Sequence, residues 1–157
     1  MTFQLISSVF EPGQQIPKKY TAEGEDVSPP LAWRDPPAGT AEFALIVDDP
    51  DAPQEQPWVH WVVYRIAAHT TAIREGEHGG GVEGLNDFGN TRWGGPKPPP
   101  GHGTHHYHFK LYALRESIDL DPGATKEQLL AELRGKSLGE AELVGTYERP
   151  SAKAVGR

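Results

Sequence analysis

Gly94-Gly95-Pro96-Lys97-Pro98-Pro99-Pro100-Gly101-His102-Gly103-Thr104-His105-His106-Tyr107 is a glycine- and proline-stiffened loop that runs into a strand opening with histidines and a tyrosine. Continued to Leu114, the strand alternates. His105, Tyr107, Phe109 and Leu111 share one face, and His106, His108, Lys110 and Tyr112 share the other. The face carrying Lys110 is the wetter one, so His105 and Tyr107 are expected to point inward. Two upstream runs, Ala41–Val47 and Trp58–Ile66, are rich in aromatic and β-branched residues and apolar towards both faces, as suits central strands buried on both sides. Three such strands define a mainly β chain.

The other segments fit around them. Phe3–Val9 reads as a first strand, Ile16–Tyr20 as a poor edge segment and Ala141–Glu148 as a last strand. Asp26–Trp33 is expected to be extended, since prolines push their predecessors out of the helical region. One helix is signalled over Thr125–Gly135: Thr125 caps, Gln128 completes a capping box, Gly135 stops it, and Leu129, Leu130 and Leu133 form the apolar stripe. Between Arg74 and Thr104 lies a long Gly-rich segment with little periodicity; such loops are uncommon in compact domains and tend to be functional. Gly79-Gly80-Gly81 lacks the Gly-Lys-Ser/Thr ending of a phosphate loop and reads as a connection. No repeat or second domain shows, so residues 1–157 are read as one domain.

Composition removes several function classes. A net charge of −7 argues against a nucleic-acid footprint and against adhesion to acidic lipid surfaces. With no cysteine there is no disulfide, thiolate nucleophile or Cys-ligated zinc. No run approaches the length of a membrane-spanning helix, and the first residues carry neither a basic nor an apolar leader pattern, so a cytoplasmic protein is expected.

The chemistry gathers at strand ends. Asp49 closes one strand before the Pro50/Pro53 turn, and His60 lies near the start of the next. If these two pair antiparallel and the His105 strand runs parallel to the His60 strand, Asp49, His60, His105 and Tyr107 meet at one end of the sheet. That is an anion-recognition set. Tyr107 offers O–H, His60 and His105 offer N–H, Gly95 lets the backbone approach, and Asp49 accepts an imidazole N–H and orients the ring. Binding is then expected to strengthen as the histidines protonate below neutral pH. No nucleophile stands beside the histidines, and no Gly-x-Ser-x-Gly occurs, which favours a binder over an enzyme. A metal site is disfavoured because alternation splits His105, His106 and His108 between two faces.

Four ordered motifs resemble those of the phosphatidylethanolamine-binding protein family, which includes the animal Raf kinase inhibitor protein. They are Asp49-Pro50-Asp51-Ala52-Pro53, Trp58-Val59-His60-Trp61, Gly95-Pro96-Lys97-Pro98-Pro99-Pro100-Gly101 and His105-His106-Tyr107. Tyr20–Trp33 resembles the family's N-terminal motif, and Glu140–Tyr147 the ending of its bacterial branch. Trp93, Lys97 and His106 depart from the residues common there. The resemblance implies a large antiparallel-rich sheet packed on a smaller one, with one or two short helices. It also implies a pocket made by Asp49, His60, the Gly95 amide, Pro96, His105 and Tyr107, walled by Trp58 and Pro53. The implied ligand is a phosphate-like anion or phospholipid head group, bound without cofactor or metal. Regulation of a kinase or another protein is the further implication, and a homodimer is left open. Two alternatives stand beside it: an acid–base enzyme acting on a small phosphorylated substrate, and an interaction module with a vestigial pocket.

Overall fold

A computed structural model describes residues 2–150. Eight strands form two antiparallel sheets. The smaller has the order β1-β2-β5, with β1 at Gln4–Ile6, β2 at Leu31–Arg34 and β5 at Ala72–Ile73. The larger has the order β6-β4-β3-β7-β8, with β3 at Glu42–Asp49, β4 at Trp58–Ala67, β6 at Val82–Glu83, β7 at Thr104–Leu114 and β8 at Ser137–Glu148. One helix, α1, spans Lys126–Leu133 behind the large sheet. Its Thr125–Gln128 capping box is formed. None of the helices among the described residues is long and apolar enough to cross a membrane.

β3 is the keystone. Phe43, Leu45 and Val47 face the core between the sheets, together with Trp33, Trp61, Phe109 and Leu111. Ala44 and Ile46 face a second core, closed by Leu129 and Leu133 of α1. A strand buried on both faces needs an unbroken apolar run, which Phe43–Val47 supplies. The inter-sheet face of each central strand turns polar at the same end: Val47 gives way to Asp49 on β3, and Phe109 to Tyr107 and His105 on β7.

The first strand is shorter than the sequence suggests, Gln4–Ile6, as Ser7 Oγ turns to donate to the Pro30 carbonyl. The Ile16–Tyr20 edge reading is corrected. Lys18–Tyr20 is a 3-10 turn, and Gln15 just before it makes a parallel bridge to Thr146. That bridge covers part of the open edge of β8, which would otherwise be a template for pairing with another chain.

Candidate functional site

β3 pairs antiparallel with both β4 and β7, so the latter two run in the same direction. The end of β3 therefore meets the starts of its two neighbours. There a cavity of about 450 Å³ opens, whose lining includes Asp49, Pro53, Trp58, His60, His105 and Tyr107. Phe88 adds to the wall, and Lys97 stands at the lip with Gln54, Pro98 and Pro99 also in the lining.

His60 reaches the cavity through a bulge. Val47 pairs with Trp61 but Asp48 pairs with Val59, so β4 carries one extra residue at His60. Strict alternation from Trp61, which packs between the sheets, would send His60 to the helix side. The bulge re-aims it onto the inter-sheet face. Val59 then falls on the helix side, in the second core.

The Asp49–His105 pair is the structural centre of the site. The carboxylate Oδ2 accepts from His105 Nδ1 at 2.6 Å, and the two side chains are 4% and 2% exposed. Asp49 Oδ1 accepts the Asp51 N–H at 2.7 Å, which also forms the corner after β3. The other nitrogen of His105, Nε2, lies 2.7 Å from His102 Nδ1. Both nitrogens of His105 are thus bonded within the protein, which corrects its assignment as an N–H donor to ligand.

His60 is corrected in the same sense. Its Nδ1 lies 2.5 Å from the Gly94 carbonyl, and the carbonyl can only accept, so Nδ1 carries the hydrogen. Burial holds the ring below the ordinary histidine pKa, against the Gly94 bond and the charges of Asp49, Asp26 and Asp48, which favour protonation. His60 is therefore neutral, with Nε2 a bare acceptor. The unfolded chain protonates this ring below about pH 6.5, and the fold resists doing so. Stability should then fall as pH drops below that value, by up to about 1.4 kcal/mol per pH unit from this group. Denaturant titrations at about pH 7.5, 6.5 and 5.5 should show a shallower slope for His60→Gln. Parallel slopes would mean that the fold does not lower the pKa of the ring.

Tyr107 is different. It is 1% exposed, its hydroxyl is buried, and that hydroxyl has no hydrogen-bond partner among the described residues. Burial, reinforced by the Asp49 and Asp51 charges, pushes the phenol well above its ordinary pKa, so it remains a donor. Its ring stands edge-on to that of His60, with centroids 5.2 Å apart.

Gly95 and Pro96 do not line this cavity. The Gly95 N–H donates to Asp26 Oδ1 at 2.7 Å and the Pro96 carbonyl accepts the Ala22 N–H, which pins the loop to the 20–26 segment. The Gly95 amide is therefore not available to a ligand, contrary to the sequence reading. His106 points outward and pairs with Asp51. Among the described residues no three His, Cys, Asp or Glu side chains are arranged to hold a metal ion.

Phe88 is the wall residue the sequence did not disclose. It packs edge-on against Trp58 and His60, at 5.4 Å from each. Its loop is strapped to β4: Gly84 N–H donates to Val62, Asp87 N–H to Val59 and Gly94 N–H to His60, all at carbonyl oxygens. Buried Asn86 closes the turn by accepting from Phe88 and Asn90 N–H and donating to the Arg92 carbonyl. The Asn86-Asp87 pair was the available signal, since Asx side chains organise turns in this way.

Comparison with known proteins agrees with this architecture. A family model described as phosphatidylethanolamine-binding protein matches residues 6–148. A UPF0098 protein of Aquifex aeolicus is 45% identical over 152 residues, which cover 93% of this chain and 88% of that one. The crystal structure of a phosphatidylethanolamine-binding protein homolog, CT736 of Chlamydia trachomatis, superposes with a TM-score of 0.89 at 40% identity, covering 94% of this chain and 97% of that one. YbcL of E. coli, described as a member of the mammalian family, gives 0.87 at 34% identity over 93% and 98%. A family model spanning nearly all of the described strands, and relatives matched almost end to end, place this chain in the phosphatidylethanolamine-binding protein family.

Proposed function

We propose that the cavity is a receptor for a small phosphate-like anion, carried by a phosphorylated metabolite or a lipid head group. The observation that carries this reading is the Tyr107 hydroxyl, buried without a protein partner at a cavity lined also by Lys97. An orphaned buried donor is costly unless something else accepts from it. A phosphate oxygen is a good acceptor, and Lys97 at the lip adds a positive charge beside it. Trp58, Phe88 and Pro53 offer apolar walls for whatever the phosphate carries.

The reading is of binding rather than turnover. A nucleophile needs a lowered pKa or an adjacent base. The Tyr107 phenol is pushed the other way.

Calorimetry with inorganic phosphate and phosphoethanolamine on wild type and Tyr107→Phe tests the proposal. The variant removes one oxygen and keeps the ring packing. A hydrogen bond to a charged group contributes about 1.5–3 kcal/mol, so affinity should drop by about 10- to 150-fold. Undiminished affinity in the variant, or no binding by wild type, would overturn the reading.

A further inference from the structure

The polar atoms around the cavity are unevenly matched for an anion. Both nitrogens of His105 are bonded to Asp49 and His102. Asp49 itself already accepts from His105 and from the Asp51 N–H, and the Gly95 amide is held by Asp26. From the two central strands, what remains for a ligand is one donor from β7, the Tyr107 hydroxyl, and one acceptor from β4, His60 Nε2, while Lys97 and Gln54 line the cavity from the loops. With Nδ1–H fixed on the Gly94 carbonyl, Nε2 presents a lone pair and has no hydrogen-bond partner among the described residues. An oxyanion with no hydrogen would meet it lone pair to lone pair.

Building on the receptor reading, we infer that this site selects an anion that brings its own proton. The ligand class is a phosphate monoester in its monoanionic form, whose P–OH donates to His60 Nε2 while another of its oxygens accepts from Tyr107.

The alternative is to protonate His60 itself. The charged and titratable groups around it are Asp48 and Asp49 of β3, Asp26 from the segment before β2, Tyr107 and His105 of β7, and Lys97 on the lip. The three carboxylates favour a charged ring, but burial outweighs them and the ring stays neutral. A ligand proton supplies the missing hydrogen without creating a buried imidazolium. Sites built to hydrogen-bond a ligand hydroxyl reject analogues that lack it, because the site's own polar group is then left unpaired.

Methyl phosphate and methyl sulfate separate the two cases. Near pH 5.5 methyl phosphate is mostly a monoanion, since the second ionisation of a phosphate monoester lies near about 6. Methyl sulfate has the same shape and charge and no acidic hydrogen. Calorimetry on wild type is expected to show methyl phosphate binding at least about tenfold more tightly. Its affinity should fall by about tenfold per pH unit above pH 7 as the P–OH is lost, with no such fall for methyl sulfate. Methyl sulfate binding within about threefold of methyl phosphate, or tightening as pH falls, would place the proton on His60 and overturn the inference alone. Binding of neither ester would instead remove the receptor reading on which the inference rests.

Discussion

Replacing His105 with alanine is expected to cost about 3–5 kcal/mol of folding stability, because removing one member of a buried pair leaves the other charge uncompensated. Asp49 is 4% exposed on its side chain and would retain only the Asp51 N–H as a donor. The substitution also deletes a ring packed against those of His102 and Tyr107. The charge accounts for most of the expected loss. The double variant Asp49→Asn/His105→Ala should therefore be markedly more stable than the sum of the two single losses allows, since it buries an amide instead of a bare carboxylate. One residue along β7, His106 makes a superficially similar pair with Asp51, at 2.8 Å but with side chains 51% and 41% exposed. His106→Ala should cost no more than about 1 kcal/mol, the range for exposed pairs. Denaturant unfolding of the four variants, His105→Ala, Asp49→Asn, their double and His106→Ala, decides the matter: a His105→Ala loss no larger than that of His106→Ala would mean Asp49 does not depend on its partner.

The contrast between His105 and His106 was legible in the sequence because it rests on alternation, the most dependable property of a strand. The same property placed Tyr107, Phe109 and Leu111 inward, and the apolar run Phe43–Val47 marked β3 as a strand buried on both faces. The meeting of Asp49, His60 and His105 at one end of the sheet was conditional on the first two strands pairing antiparallel and on the His60 and His105 strands running the same way, and β3, antiparallel to both neighbours, meets both conditions. Where reasoning from alternation fails is where the backbone departs from it. The bulge that turns His60 into the cavity leaves no trace in the pattern Trp58-Val59-His60-Trp61, since either face would accept these residues. Hydrogen-bond assignments were equally hidden. Whether an imidazole donates to a ligand or to the Gly94 carbonyl depends on a loop 34 residues away along the chain, with no local signature. The Arg74–Thr104 segment lacked periodicity because its one strand, β6, is two residues long and the rest of its order comes from bonds to β4 and from Asn86.

The second large effect lies in that segment. Gly95→Ala is expected to lose about 2–4 kcal/mol and to weaken ligand binding with it, even though Gly95 does not line the cavity. A Cβ at this position would stand 2.4 Å from Asp26 Oδ1, 2.4 Å from the Tyr20 carbonyl oxygen and 2.9 Å from the Thr21 Cα. Two of these are backbone atoms, held by the 3-10 turn at Lys18–Tyr20 and by the Thr21 hydroxyl on the Lys18 carbonyl, so they cannot swing aside as a flexible side chain would. The loop must move instead. Moving it breaks the Gly95–Asp26 bond and drags Gly94, whose carbonyl fixes the His60 tautomer, and Lys97, which forms the lip. Gly103→Ala is the fitting comparison in the same loop. It has open space around it but a φ of +88°, so its cost should stay near about 1 kcal/mol, the strain of a left-handed alanine. If the two alanine variants unfold at the same denaturant concentration, close packing at Gly95 is not what seats the loop. If Gly95→Ala is the less stable yet binds phosphate as wild type does, the loop position and the His60 tautomer are not coupled. Loss of both together is the outcome expected from a cavity whose acceptor is set by a carbonyl one residue away from the clash.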